Sequence, residues 1–116
     1  MSNTQNILSP KVTIITVVFN AAQEIETTLK SIFEQNYVSK EVIIIDGGST
    51  DGTLEIISKF KHKIDYFTTE QDSGIYDAMN KGIKVAGGEW ICFMNAGDIF
   101  NSNEILKNIF FQRKLD

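Results

Sequence analysis

The chain has 116 residues, of which 42% are hydrophobic and 22% charged, and its formal net charge is −4. That length makes one domain around one core, and the negative sign excludes an electrostatic case for nucleic acid or an anionic membrane as partner. The single cysteine, Cys92, excludes an intrachain disulfide and favours a reducing, cytoplasmic setting. No apolar run approaches the roughly 20 residues that span a bilayer, and no basic segment leading into an apolar stretch marks a signal peptide.

Residues 1–10 are polar and read as a loose arm, with Pro10 just ahead of the first strand. Val12 to Phe19 is β-branched and apolar and ends at Asn20. From Ala21 to Gln35 the spacing is helical, with Ile25, Leu29, Ile32 and Phe33 on one face. Glu41 to Ile45 is a second strand, stopped by Asp46-Gly-Gly48. Asp51-Gly-Thr53 opens a second helix whose buried stripe is Leu54, Ile57 and Phe60. Ile64 to Thr69 is a third strand, and Gly74 to Ala86 a third helix stopped by Gly87-Gly88. Glu89 to Met94 is a fourth strand, and Ser102 to Lys114 a last helix with Ser102 as cap. Apolar strands separated by helices predict a mainly parallel sheet covered on both faces, a Rossmann-like three-layer α/β/α sandwich.

Open α/β sheets bind ligands beyond the carboxyl ends of their strands, so polar residues there are the candidates for chemistry. Asp46 ends the second strand, where an acid can accept hydrogen bonds from a ribose or a base. Ser49 to Thr53 reads as a βα turn that caps the second helix. The tip of the first strand, Val17 to Asn20, lies beside Asp46, so the two can clasp one planar base; Phe19 is either part of that clasp or core. Gly74 to Gly82 opens the third helix, whose N-terminus can face a diphosphate. Within it Asp77 and Lys81 form an i,i+4 ion pair, and Tyr76 is left open between packing and function. Asp98 follows the fourth strand, where one carboxylate plus substrate phosphates suits Mg²⁺ or Mn²⁺; otherwise it turns the chain into the last helix. Cys92 reads as a small buried hydrophobe and His62 as exposed.

Taken together, Ile14-Ile-Thr-Val-Val-Phe-Asn20, Glu41-Val-Ile-Ile-Ile-Asp-Gly-Gly-Ser-Thr-Asp-Gly-Thr53, Asp72-Ser-Gly-Ile-Tyr-Asp-Ala-Met-Asn-Lys-Gly82 and Gly88-Glu-Trp-Ile-Cys-Phe-Met-Asn-Ala-Gly-Asp98 resemble the family 2 glycosyltransferases of GT-A fold. The resemblance covers nearly the whole chain. It implies inverting transfer of a sugar from a nucleotide-diphosphate donor, a UDP-sugar foremost, to a saccharide or lipid-linked acceptor, assisted by Mg²⁺ or Mn²⁺, in bacterial surface polysaccharide synthesis. It places Thr16 and Phe19 in the base pocket, Asp46 on the base, and Asp72 and Asn80 in the donor-holding block. The family's acidic metal motif reads here Asn95-Ala-Gly-Asp98, which leaves Asp98 as main ligand with Asn95 as a neutral helper. Met79 stands where the family has an arginine, and Lys81 is the nearby cation available to compensate.

A complete domain of this type is about twice as long. Residues 11–116 are therefore expected to be its donor-binding half, truncated before the acceptor site and the catalytic base, able to hold donor but not to transfer sugar. The full-length enzyme is expected in the cytoplasm, at the inner face of the membrane. A different reading is a nonenzymatic, partner-dependent or homo-oligomeric module whose sheet edge pairs with another chain. A dinucleotide-binding Rossmann domain is excluded, because Val18-Phe-Asn-Ala-Ala22 lacks the glycine fingerprint.

Overall fold

A computed structural model describes residues 9–110; the first eight residues of the predicted arm, and the part of the predicted last helix beyond 110, lie outside the described residues. Four strands, β1 (Val12–Val18), β2 (Lys40–Asp46), β3 (Tyr66–Thr69) and β4 (Trp90–Phe93), form one sheet in the order β3-β2-β1-β4. All three pairings are parallel. Five helices connect or follow them: α1 (Ile25–Phe33), α2 (Thr53–Ser58), a short 3₁₀ turn (Lys61–Lys63), α3 (Ile75–Val85) and α4 (Ile105–Phe110).

The two central strands are apolar without alternation because both of their faces are covered. Along β1, Val12, Ile14 and Val18 join Val42 and Ile44 of β2 under α1, α2 and α4, where Ile25, Leu29, Ile32, Ile57, Leu106 and Phe110 complete the larger core. The intervening Ile15 and Val17, with Ile43 and Ile45, face Ala78 of α3. This is the three-layer sandwich the pattern predicted. Ile25, Leu29 and Ile32 are fully buried, each contributing about 1.5–3 kcal/mol, so α1 is held by its stripe rather than by its short length.

Each predicted element is found among the described residues with shifted ends: β2 gains Lys40 and Asp46, and the others are shorter at one or both described ends. Helix α1 starts at Ile25 rather than Ala21; Ala22 to Glu24 form a turn in which the Glu24 and Ile25 amides share the Ala21 carbonyl. Strand β3 starts at Tyr66, since Ile64 still belongs to the exit of the 3₁₀ turn, its amide bonded to the Lys61 carbonyl. Helix α4 starts at Ile105; Ser102 takes the Glu104 amide in the preceding turn instead of capping the helix directly.

Register aligns the carboxyl tips. Val18 pairs with Asp46, and Asp46 with Thr69, so three strands end in one row. Strand β4 leaves the sheet earlier, its Phe93 opposite Ile15, and the chain from Met94 to Ala96 runs on alongside β1 through amide bonds to the Ile15 and Val17 carbonyls.

Candidate functional site

Above that row lies a cleft of about 680 Å³. Val17, Val18 and Phe19 from the end of β1 form one side, and Gly47 and Gly48 after β2 form the floor. Gln71 and Asp72 after β3, with Gly74, Ile75 and Ala78 of α3, form the opposite wall, and Asn95 and Ala96 after β4 close it. Its position, outside the strand ends where the order reverses between β1 and β4, is where open parallel sheets hold ligands. The volume falls within the range of small-molecule sites.

The two sides of the floor are stitched together. The Asn20 amide donates to Ser49 Oγ at 2.8 Å and the Thr50 amide donates to Asn20 Oδ1 at 2.8 Å. The Ala21 amide reaches Thr53 Oγ1 and the Ala22 amide reaches Asp51 Oδ2. Asn20 adopts φ +48 to make this turn, a conformation asparagine tolerates better than most residues. These bonds hold Phe19 at the rim with 62% of its surface exposed, an aromatic face open to a planar ligand.

The structure moves Asp46 from the cleft to beneath it. Asp46 is fully buried, and its carboxylate accepts the Gly48 and Ser49 amides and the Ser49 and Thr69 hydroxyls at 2.6–2.9 Å. With these donors already bound and no surface exposed, Asp46 shapes the glycine floor and ties β2 to β3. Thr16 is corrected for a different reason. Side chains alternate along a strand, and Thr16 shares the face of Ile14 and Val18 toward the larger core, fully buried and away from the cleft. Its Oγ1 has no hydrogen-bond partner among the described residues. Asn80 is exposed and absent from the lining. It follows the cleft-facing Ala78 by two positions, about 200° around the helix.

Phe19, Asp72 and Asn95 are brought together in the cleft. Asp72 accepts the Gly74 amide at 3.1 Å through Oδ1, and its carboxylate lies directly over Gly47, where an added Cβ would come within 3.0 Å of Oδ2. Gly47 thus clears the space Asp72 occupies, a close approach that glycine permits but whose partner, far along the chain, leaves no local signal in the sequence. Lys81 forms the expected i,i+4 pair with Asp77 and is not placed to compensate for the missing arginine. It bridges Glu70 at 2.8 Å and Asp77 at 3.8 Å and does not line the cleft. Tyr76 is exposed rather than packed.

Among the described residues no lysine or arginine lines the cleft. Positive potential comes instead from the N-terminus of α3, where Gly74 makes no side-chain cap and the first amides carry the partial charge of the helix end. Asp98 sits outside the lining in a tight reciprocal turn: its Oδ2 accepts the Asn95 amide at 3.0 Å, while its own amide reaches the Asn95 carbonyl. That turn is pinned to α1 by the Gly97 amide on Thr28 Oγ1 at 2.9 Å. Asn95 Oδ1 makes only a long 3.5 Å contact to the Val17 amide, so it remains an available oxygen. Among the described residues no three acidic, histidine or cysteine side chains cluster into a self-sufficient metal cage. The exposed Asp98 carboxylate and the Asn95 side-chain oxygen, three residues apart on one turn, are hard oxygen donors of the type a divalent cation takes together with substrate phosphates and water.

The model of the glycosyl transferase family 2 matches residues 13–113. The chain belongs to that family. Among family 2 relatives, an uncharacterized glycosyltransferase of Mycobacterium tuberculosis is 36% identical over 99 residues, covering 84% of this chain and 38% of that protein. A PGL/p-HBAD biosynthesis glycosyltransferase of Mycobacterium bovis is 34% identical over 104 residues, covering 87% of this chain and 41% of its own length. The chain therefore spans about two fifths of the length of these curated relatives. Among solved structures, S. aureus TarS in complex with UDP-GlcNAc superposes with a TM-score of 0.78 at 29% identity, over 85% of this chain and 30% of that one. The mannosyltransferase PcManGT of Pyrobaculum calidifontis, in complex with GDP-Man and Mn²⁺, gives 0.75 at 29% identity, over 81% and 29%. The shared core is the GT-A arrangement.

Proposed function

We propose that residues 11–116 form the donor-binding half of an inverting family 2 glycosyltransferase that transfers a sugar from a nucleotide diphosphate, a UDP-sugar foremost, to a saccharide or lipid-linked acceptor. The observation that carries this is the cleft itself, where an exposed aromatic face, a glycine floor, an acidic wall and a helix N-terminus converge on one space. Phe19 offers a surface for a base, Asp72 accepts from base or ribose, and the first amides of α3 face the diphosphate. That two neighbours were solved with UDP-GlcNAc and with GDP-Man supports the nucleotide-sugar class.

Asp98, with Asn95 beside it, would hold Mg²⁺ or Mn²⁺, and that ion supplies Lewis-acid neutralisation of the departing diphosphate. Among the described residues the cleft walls contribute no cation, so beside the helix end a metal ion would offset the diphosphate charge. The base that deprotonates the acceptor is assigned to the part of the relatives' length that this chain does not match. Binding of donor without transfer follows for this chain, and synthesis of surface polysaccharide at the inner face of the membrane for the whole enzyme.

Calorimetric titration of UDP, and separately of GDP, with and without Mn²⁺ tests the reading. UDP binding that Mn²⁺ strengthens, and that Asp98→Ala makes metal-independent, is the expected result. Absence of binding by the folded chain under every condition overturns it.

A further inference from the structure

The wall of the cleft that carries Gln71 and Asp72 belongs to no helix or strand. It runs from the end of β3 to the start of α3 over the two floor glycines, with the Glu70 amide bonded to the Asp46 carbonyl at 3.1 Å. Three carboxylates gather on and beside it. Glu70 and Asp72 lie on the segment itself, and Asp77 folds back from the first turn of α3 to accept the Ser73 amide at 2.9 Å. Like charges this close repel one another. The cation placed among them is Lys81, one turn further along α3, at 2.8 Å from Glu70 and 3.8 Å from Asp77. Its side chain is only 24% exposed, so it is held in this position rather than left in solvent.

We propose that Lys81 is a positioning residue: by bridging Glu70 and Asp77 it latches the Glu70–Gly74 segment onto α3 and so fixes the Asp72 wall over the cleft. The Asp77 leg is the ion pair the spacing predicts, and the Glu70 leg is the addition that ties the segment down; the lysine acts on ligand only through the wall it holds. Its effect on affinity rests on the donor-binding reading above, but its effect on the segment does not.

Two readouts on Lys81→Met, Lys81→Arg and the charge-swapped pair Glu70→Lys with Lys81→Glu test the proposal. In hydrogen exchange without ligand, Lys81→Met is expected to speed the Ser73 and Gly74 amides roughly two- to fivefold, the range open to a partly exposed ion pair, while β1 and β2 keep their protection. In calorimetry the same variant is expected to weaken UDP by a similar factor. Lys81→Arg is expected to restore both, and the swapped pair to restore them only in part, because it re-forms the contact with position 70 but sets a second carboxylate four residues from Asp77. Unchanged exchange at Ser73 and Gly74 in Lys81→Met overturns the latch, and so does a uniform rise across β1 and β2, which would mark a general loss of stability. If the native chain binds no UDP, the donor reading fails while the exchange result still decides the latch.

Discussion

At the scale of single residues, the site depends on side chains that never touch the cleft. Asp46 is the clearest, a buried carboxylate that spends its oxygens on the floor beneath a ligand. Thr16 is the converse, a buried hydroxyl with no hydrogen-bond partner among the described residues. Removing a polar group that is already unsatisfied relieves a desolvation cost. Thr16→Val is therefore expected to leave stability unchanged or raise it by up to about 1 kcal/mol, measured by urea denaturation, and to leave UDP affinity unaltered. A marked loss of affinity would return Thr16 to the base pocket that the family resemblance gave it. The glycines divide in the same way. A Cβ on Gly47 would press on the mobile end of Asp72, whereas one on Gly82 would fall 2.6 Å from Cγ2 of Ile15, a side chain locked in the middle of β1. Alanine gains about 1 kcal/mol over glycine in a helix, but overpacking a rigid core costs about 1–3 kcal/mol. Gly82→Ala is thus expected to destabilise on balance, with a lower urea midpoint and an unchanged slope.

At the scale of elements, strands were easier to read than helix ends. The unbroken runs of β1 and β2 follow from burial on two faces, and no competing pattern explains them. The start of α1 was misplaced because Ala21 to Glu24 has helix-compatible residues, and only the stitching of Asn20, Ala21 and Ala22 to the Ser49–Thr53 turn holds that stretch out of the helix. Bonds between segments 29–32 residues apart leave no local trace in a sequence. The opposite end of the sheet shows a similar tie. Glu41 accepts the Thr13 hydroxyl at 2.7 Å and the Gly87 amide at 2.8 Å, fastening the turn between α3 and β4. Burial alone would raise its carboxyl, but the Gly87 amide, the Thr13 hydroxyl and Lys11 outweigh it and hold it below the ordinary value of 4.5. A carboxylate lowered on folding stabilises fully above its unfolded value and loses that contribution as pH falls through its folded one. Glu41→Gln is expected to be less stable than the native chain by about 1 kcal/mol at neutral pH. The gap should close as pH drops below 4.5, as read from denaturation midpoints across that range.

At the scale of the whole molecule, the location of the site was legible and its membership only partly so. Alternating strands and helices fix where the strand tips lie, and hence that Phe19, Asp72 and Asn95 meet. The sequence could not tell a tip residue that faces the ligand from one that faces the core, as Thr16 and Asp46 show, because that depends on pleat and on the exact strand end. Both margins of the sheet are also informative. Strands β3 and β4 carry no charge, and Tyr66, Phe67, Trp90 and Ile91 are exposed. Uncharged edges are templates for further pairing. Concentration-dependent association in sedimentation is expected for this chain, and Ile91→Lys is expected to reduce it without altering the circular dichroism spectrum. An unchanged association would locate the contact elsewhere.

The half-buried thiol of β4 gives this edge a built-in reporter. Cys92 is the only cysteine of the chain, and burial, reinforced by the charge of Asp98, pushes its thiol up from the ordinary value of 9.0. Thiolate is the reactive form, so a thiol reagent attacks slowly while the strand is seated and quickly once it lifts. Without any engineered label, the labelling rate therefore times the opening of the strand that leads into Asn95 and Asp98. Its slowing by nucleotide or metal would register, at a distance, that the far end of the same strand had closed on a ligand.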